Sequence, residues 1–196
     1  QLMDSGSPPP TPDQKDSIDQ ILQAGWYLLE LINEVLDLAL IESGKLSISC
    51  EPMSLAEVLD DCQSMIEPQA RKSGIRVGFT PAHTLLFVQA DRTRVKQIFV
   101  NLLSNAIKYN RVGGTVEVRC STRPDHRIRI SFQDTGEGLS ADKLAQLFQP
   151  FNRLGRERSS QQGTGIGLVI SQRLAELMGG ALRAHSAAGQ GSAFIL

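Results

Sequence analysis

Residues 101–109 read NLLSNAIKY and put three polar side chains on one side of a predicted helix. Asn101, Asn105 and Lys108 recur at i, i+4 and i+7, so each lies one helical turn from the next. Carboxamide oxygens suit a hard cation such as Mg²⁺ that is shared with phosphates, and a lysine can neutralise phosphate charge nearby. For an isolated helix, the alternative interpretation is a solvated polar face. The helix itself, from Arg92 to Tyr109, is predicted by an apolar stripe of Val95, Ile98, Phe99, Leu102, Leu103 and Ala106.

A second informative stretch, Ile128 to Asp134, ends in a carboxylate. Side chains of a strand alternate between faces, so its two isoleucines, Phe132 and Asp134 point the same way. A charge on an apolar face is costly unless it meets a hydrogen-bond donor, and the exocyclic amino group of a purine is such a donor. Gly136 and Gly138 then let the backbone turn sharply and approach a ligand closely. The alternative is an Asp that faces a loop and opens an ordinary turn.

The third stretch, Gly163 to Leu168, is a glycine-rich turn that leads into a predicted helix from Leu168 to Met178. Free amides at a helix N-terminus, at the positive end of its dipole, form an anion site. No Lys-Ser/Thr pair follows the glycines, so the motif is not a P-loop. Upstream, Asn152 to Gln162 is polar and arginine-rich, which is typical of a lid over a phosphate site or of a surface loop.

These stretches resemble the nucleotide-binding motifs of sensor histidine kinases. The run from Asn101 to Tyr109 looks like their N box, Asp134-Thr-Gly-Glu-Gly138 like their G1 box, and Gly163 to Leu168 like their G2 box. Phe148-Gln-Pro-Phe151 resembles their F box, and Gly189-Gln-Gly-Ser192 resembles their final glycine motif. All five occur in the order that the family has.

The resemblance implies a Bergerat-type ATP-binding fold of the α+β class, a two-layer α/β sandwich in which helices cover one face of a mixed sheet. It implies ATP and Mg²⁺ as ligands. The resemblance implies that Asn105 binds Mg²⁺ and that Asn101 and Lys108 are further catalytic residues at the metal–phosphate end. It implies that Asp134 binds the adenine amino group. The other implied nucleotide-binding residues are Tyr109, Gly136, Gly138, Phe151, Arg153, Gly163, Thr164, Gly165, Ile166, Gly167 and Leu168.

The position of Asn101 bears on the type of reaction. Superfamily members that hydrolyse ATP carry a glutamate four residues before the magnesium asparagine, as the general base for water. Asn101 occupies that position here, and a carboxamide does not accept a proton from water. The substitution favours phosphoryl transfer to a protein over hydrolysis. The alternatives are an ATPase of the same superfamily and a non-catalytic nucleotide-sensing or dimerisation module.

The N-terminal part predicts a long helix from about Pro12 to Ile41 with a broad apolar stripe, while Glu30 and Asp37 fall on the opposite face. It resembles the second helix of the histidine kinase dimerisation domain, which implies a homodimer of the full-length protein through this helical domain. We expect residues 1–46 to form part of that domain without its first helix, and residues 47–196 to form the catalytic ATP-binding domain. Without the first helix, the apolar stripe should be exposed.

The residue that would receive the phosphate is missing. Members of the family are phosphorylated on a histidine of the preceding helix, within a His-Glu motif, whereas His83, His126 and His185 are not followed by Glu. Gln1 to Asp4 resemble the end of that helix, so we expect a fragment that begins after the acceptor and does not autophosphorylate. The resemblance then implies a protein-histidine kinase acting on a His outside this chain, with a response-regulator receiver domain as the next acceptor.

The amino-acid composition argues against several kinds of partner and site. The 196 residues carry 20 basic and 21 acidic side chains, a net charge of −1, which gives no reason to expect nucleic acid or an anionic membrane as partner. No stretch is long and apolar enough to span a membrane. We therefore expect a cytoplasmic domain of a protein that is either soluble or membrane-anchored. Three cysteines without metal-type spacing are expected to be reduced thiols.

The remaining pattern predicts the order of helices and strands. Ser54 and Ser140 are predicted to cap the N-termini of two helices. The predicted helices end at Arg71 and Phe148. The predicted strands are Ile75–Thr80, Leu85–Gln89, Thr115–Cys120, Arg127–Gln133, Leu182–Ser186 and Ser192–Leu196, of which the third and fourth form a hairpin.

Overall fold

A computed structural model describes residues 11–80, 86–152 and 163–196. The helices of this part are α1 (Pro12–Glu42), α2 (Leu55–Ser73), α3 (Arg92–Lys108), α4 (Ala141–Ala145) and α5 (Gly167–Leu177). Its strands are β1 (Glu51–Ser54), β2 (Arg76–Thr80), β3 (Phe87–Ala90), β4 (Thr115–Thr122), β5 (Ile128–Asp134), β6 (Arg183–Ala187) and β7 (Gly191–Ile195).

Five strands form one mixed sheet in the order β2-β4-β5-β7-β6. β2 and β4 are parallel, and the other neighbours are antiparallel. The sheet has one buried face, which carries Val118, Ile130 and Phe132, and one face with exposed side chains such as Arg129 and Gln133. This is the predicted α+β architecture, a sheet with its helices on one face.

The core lies between the sheet and α3. Phe99 and Phe132 are fully buried, and their ring centroids are 5.2 Å apart at an interplanar angle of 58°, a favourable tilted geometry. The apolar stripe predicted for α3 is buried along its whole length, from Val95 to Ala106. Asp91 caps this helix by accepting a 3.1 Å hydrogen bond from the Arg94 amide. α3 is therefore fixed against the sheet, and the orientation of its polar side chains follows.

Three local expectations differ from the structure. β1 pairs with β3 in a separate two-stranded sheet, which the sequence does not predict because four residues with a proline at the second position show little alternation. α4 ends at Ala145 instead of Phe148, since its C-terminal turn continues into non-helical turns. Ser140 is the N-cap of α4 but makes no capping side-chain bond, whereas Ser54 accepts a hydrogen bond of 3.5 Å from the Glu57 amide.

α1 exposes its apolar stripe, as expected. Trp26, for example, is 70% exposed. The exposed large apolar residues of α1 are Ile21, Leu22, Trp26, Leu28, Leu29, Ile32, Val35, Leu36 and Leu40. In the described part of the chain, no helix combines the length and apolarity needed to cross a membrane.

The opposite face of α1 packs against the rest of the protein. Asp37 pairs with the Arg94 guanidinium at 3.2 Å, both side chains being about four-fifths buried, and accepts a 2.8 Å hydrogen bond from Gln97. Leu38 is buried next to this pair, and Leu31 packs against the same core. The polar face of α1 is therefore docked on α3. The domain boundary between residues 46 and 47 stays a prediction.

The packing of α2 predicts a difference in thiol reactivity. Burial raises the pKa of Cys62 to about 11, whereas Cys50 is exposed. At about pH 8 we expect iodoacetamide to modify Cys50 in the folded protein and Cys62 only after unfolding, because the Cys62 thiolate is scarce and shielded. Peptide mass spectrometry of native and urea-treated samples measures both rates. Equal modification of the two thiols in the native sample would contradict the packing of α2.

Candidate functional site

A cavity of about 530 Å³ opens where α3, the N-terminus of α5, the loop after β5 and the polar face of α1 meet. Its walls are partly polar and partly apolar, as is usual for a site that binds a small molecule with a few specific contacts. The lining residues are Glu30, Glu34, Gln69, Asn101, Ser104, Asn105, Lys108, Tyr109, Asp134, Glu137, Gly138, Leu139, Lys143, Leu147, Asn152, Gly163, Thr164, Gly165, Gly167, Leu168, Ser192 and Phe194.

Asp134 is the buried carboxylate of this cavity. It is 6% exposed, and its Oδ1 accepts hydrogen bonds from the Gly136 amide at 2.8 Å and the Ser192 amide at 3.2 Å. Burial raises the pKa of the Asp134 carboxyl above its ordinary value of 3.8, and the two amides oppose that shift. Both amides bind the same oxygen, so the carboxylate is held in one orientation at the cavity wall. Leu139, Leu147 and Phe194 supply apolar surface in the same cavity.

The glycines around Asp134 are required by close packing of the backbone. A Cβ on Gly136 would lie 2.5 Å from the Tyr109 carbonyl oxygen, and one on Gly138 would lie 2.0 Å from the Ala187 carbonyl oxygen. Gly191 has φ +85°, and a Cβ there would lie 2.1 Å from the Asp134 carbonyl oxygen. These contacts press the loop after β5 against α3 and against the β6–β7 turn. The glycines thus position Asp134, and Gly138 also lines the cavity.

Two asparagines connect α3 to α5. Asn101 donates a 2.8 Å hydrogen bond from Nδ2 to the Ser171 hydroxyl, and its Oδ1 accepts a 3.1 Å bond from Nδ2 of Asn105. Ser171 is buried, and a Cβ on Gly167 would lie 2.6 Å from Oδ1 of Asn101. The two helices therefore meet closely here. Because the Asn105 amide nitrogen is engaged with Asn101, its carbonyl oxygen is oriented away from Asn101, and this oxygen is the atom that suits a hard cation.

Lys108 lies beside the glycine motif. A Cβ on Gly163 would lie 2.5 Å from the Lys108 ammonium, which is also 5.0 Å from the centre of the Tyr109 ring, within the range of a cation–π contact. Lys108, Tyr109 and Gly163 all line the cavity. The Lys108 ammonium is thereby placed beside the glycine motif that leads into α5. Both features favour an anion at this end of the cavity.

The start of α5 is fixed by a threonine. The Ile166 amide donates a 3.2 Å hydrogen bond to the Thr164 hydroxyl, and that hydroxyl donates to the Glu34 carboxylate of α1. Gly165 has φ +75° and packs against the backbone of Asn152, where a Cβ would come within 3.2 Å. α5 begins at Gly167, one residue earlier than predicted. Thr164 therefore connects the glycine motif to α1.

Residues 90–196 match the family of histidine kinase-, DNA gyrase B- and HSP90-like ATPases. The chain belongs to this family. It is 41% identical over 190 residues to the sensor histidine kinase GacS of Pseudomonas protegens, and the aligned residues cover 94% of this chain and 21% of that protein. It is 35% identical over 184 residues to a sensor-like histidine kinase of Rhizobium meliloti, covering 93% of this chain and 35% of that protein. The chain thus spans only about a third, or less, of these relatives.

Solved histidine kinases have the same fold. Full-length ShkA in complex with AMPPNP superposes with a TM-score of 0.82 at 30% identity, covering 99% of this chain and 40% of that one. The catalytic domain of histidine kinase ThkA superposes with a TM-score of 0.65 at 28% identity, covering 74% of this chain and 92% of that one. These findings confirm both the resemblance to sensor histidine kinases and the predicted fold class.

Most of the predicted site residues line one cavity. Gly136, Phe151 and Ile166 are not among the lining residues, and Ile166, the residue before α5, is fully buried. Arg153 and all but the first residue of the proposed lid lie outside the described residues. The individual ligand contacts of the predicted residues stay predictions.

Several lining residues were not predicted. Glu30 and Glu34 come from α1, whose polar face the sequence does not connect to a ligand site. Gln69 comes from α2, and it donates a 3.3 Å hydrogen bond to the Ser104 hydroxyl. Ser192 belongs to the final glycine motif, so its position after two glycines was the available signal for its amide contact with Asp134. Cavity contacts from α1 and α2 depend on tertiary packing and have no local signature.

The buried charge of Asp134 should lower the stability of the fold. We expect Asp134→Asn to leave the free energy of unfolding at neutral pH equal to or higher than that of the wild type, because Asn keeps an acceptor for both amides but carries no buried charge. The folded-state pKa is raised, so this part of the wild-type stability should fall as pH rises from 3.8 through the folded-state pKa. Urea denaturation at several pH values measures the effect.

Asp142→Asn on the exposed first turn of α4 is the matched control, which should show no comparable change. A marked loss of stability in Asp134→Asn would mean that the ionised carboxylate stabilises the fold.

Proposed function

We propose that this chain binds Mg-ATP and transfers the γ-phosphate to a His on a helix outside it, from which a response-regulator Asp receives it. One observation carries the proposal. A buried carboxylate, Asp134, and a carboxamide on α3, Asn105, face one cavity that also contains the N-terminus of a helix. Such a site offers an acceptor for a base at one end and positive potential for phosphates at the other.

At the adenine end, Asp134 would accept a hydrogen bond from the exocyclic amino group. Its Oδ1 is already bound to two amides, so the carboxylate does not need to reorganise to bind a donor. Desolvation of the carboxylate makes an additional donor favourable. Tyr109, Leu139 and Leu147 line the same cavity and would cover the faces of the base.

At the phosphate end, Asn105 would hold Mg²⁺, while Lys108 and the amides of Gly163 to Gly167 would bind phosphate oxygens. The donor set fits this ion, because Mg²⁺ takes few protein oxygens and shares phosphates and waters. In the described part of the chain, no group of three or more His, Cys, Asp and Glu side chains could form a cage around a metal. Bound there, Mg²⁺ would neutralise phosphate charge. Lys108 and the N-terminus of α5 would add to that neutralisation and orient the terminal phosphate.

Phosphoryl transfer is favoured over hydrolysis by the bonds of Asn101. Its amide nitrogen donates to Ser171 and its amide oxygen accepts from Asn105, so this side chain holds helices together and is not a base for water. His126 is exposed in the β4–β5 turn, and His185 is exposed on β6. Neither lines the cavity, which supports an acceptor histidine outside the described residues.

Nucleotide binding tests the two ends of the site separately. We expect Asp134→Asn to weaken ATP binding at least about tenfold, because an amide presents a donor to the amino group and loses the charge-assisted bond. Asn105→Ala should remove the Mg²⁺ dependence of ATP affinity, while leaving weak Mg²⁺-independent binding. Isothermal titration calorimetry with and without Mg²⁺ measures both effects. Asp142→Asn and Asn33→Ala, two exposed positions outside the cavity, are the matched controls. Unchanged affinity in Asp134→Asn would remove this residue from the base pocket.

The fate of the γ-phosphate tests the reaction. The chain is mixed with labelled Mg-ATP and with a longer form that extends upstream through the first helix of the dimerisation domain. In this longer form, Asn105→Ala prevents self-labelling. We expect acid-labile, base-stable label on the extended chain, as for phosphohistidine. Free phosphate without labelled protein would instead identify an ATPase. ATP binding without any turnover would identify a sensing module.

A further inference from the structure

The polar face of α1 places a carboxylate against the phosphate-binding motif. Glu34 is half-buried, lines the cavity and accepts a hydrogen bond from the Thr164 hydroxyl. Glu30, one turn earlier, lines the same cavity. Thr164 lies between the glycines at the N-terminus of α5, where the proposed function places phosphate. A negative side chain from the helical region therefore occupies the surroundings of an anion site.

The electrostatics of Glu34 agree with this placement. Burial raises the pKa of its carboxyl, the hydrogen bond from Thr164 opposes the shift, and the charges of Glu30 and Asp37 raise it further. Lys108 lowers that pKa, so its ammonium interacts with Glu34 across the cavity. Lys108 is also the cation expected to neutralise phosphate. A phosphate group and the Glu34 carboxylate would therefore depend on the same positive charge, and they repel each other.

The docking of α1 holds Glu34 at this place. Asp37, one turn after Glu34, is bound to both Arg94 and Gln97 of α3, and Leu38 is buried beside them. Arg94 and Asp37 are mostly shielded from water, so their pair is screened less by salt than an exposed pair. As long as α1 is docked in this way, the carboxylate of Glu34 stays next to Thr164.

We infer that Glu34 determines the phosphate specificity of the site, so that docked α1 disfavours ATP relative to ADP through repulsion of the terminal phosphate. The inference rests on the proposed function, because it needs nucleotide phosphates at the N-terminus of α5. ADP lacks the phosphoryl group that would extend furthest from the base, and it meets less of this repulsion. By linkage, ATP weakens the docking of α1 by the same factor by which docking weakens ATP binding. ATP thus favours release of the helix from α3.

Calorimetric titration with ADP and with AMPPNP, a triphosphate analogue that is not turned over, tests the inference. Glu34→Gln keeps an oxygen that accepts from Thr164 and removes only the charge. We expect it to raise AMPPNP affinity about fivefold and ADP affinity less than about twofold, since the removed repulsion acts mainly on the terminal phosphate. Asp19→Asn, an exposed charge removal on the same helix, is the control and should change neither affinity. Equal changes for both nucleotides, or none, would overturn the inference.

A second variant tests the same point without altering Glu34. Asp37→Asn weakens the pair with Arg94, loosens α1 and should shift the AMPPNP/ADP affinity ratio in the same direction. An unchanged ratio would contradict the role of docking. Failure of the proposed function looks different: the wild type would bind neither nucleotide, or binding would be insensitive to Asp134→Asn. Nucleotide binding that depends on Asp134 but has the same ratio in Glu34→Gln would refute the role of Glu34 alone.

Discussion

The carboxylate of Asp134 lies at the end of a buried apolar row of β5, and the arrangement of the site depends on it. A buried charge is unfavourable unless donors surround it. The fold supplies two, the amides of Gly136 and Ser192, by pressing the loop after β5 and the start of β7 together. A side chain at Gly138 or Gly191 would clash with backbone and prevent this approach. The glycines are thus required to keep one carboxylate hydrogen-bonded within an apolar wall.

The phosphate end depends on contact between α3 and α5. Asn101 links the two helices through Ser171, and Gly167 permits the close approach. Asn101 therefore holds Asn105 and α5 in position relative to each other. Under the proposed function, these bonds are the physical reason why Asn at this position suits phosphoryl transfer. The position that could activate water instead organises the end of the cavity where the phosphate is expected.

The sequence predicts those parts of the site that are encoded by local periodicity. The alternation in β5 places Asp134 on the apolar face, and the helical spacing in α3 places Asn105 and Lys108 beside a buried stripe; both placements are confirmed. Glu34 could not be predicted, because only the tertiary docking of α1 brings its polar face to the cavity. β1 was missed for a related reason, since its pairing partners in β3 lie 33 to 39 residues away in sequence, from Ser54 with Phe87 to Glu51 with Ala90. Gly136 and Gly138 were predicted to let the backbone approach a ligand closely, whereas the neighbour that requires a glycine at each position is protein backbone.

If this cavity recognises adenine through Asp134, it should distinguish ATP from GTP. Competition titration of the chain with the two nucleotides tests this most directly, because guanine has a carbonyl oxygen where adenine has its amino group. ATP should bind at least about a hundredfold more tightly than GTP, since GTP would leave the buried carboxylate facing an acceptor. Equal affinity for the two nucleotides would contradict the recognition of adenine by Asp134, because the carbonyl oxygen of guanine cannot donate the hydrogen bond that the amino group donates.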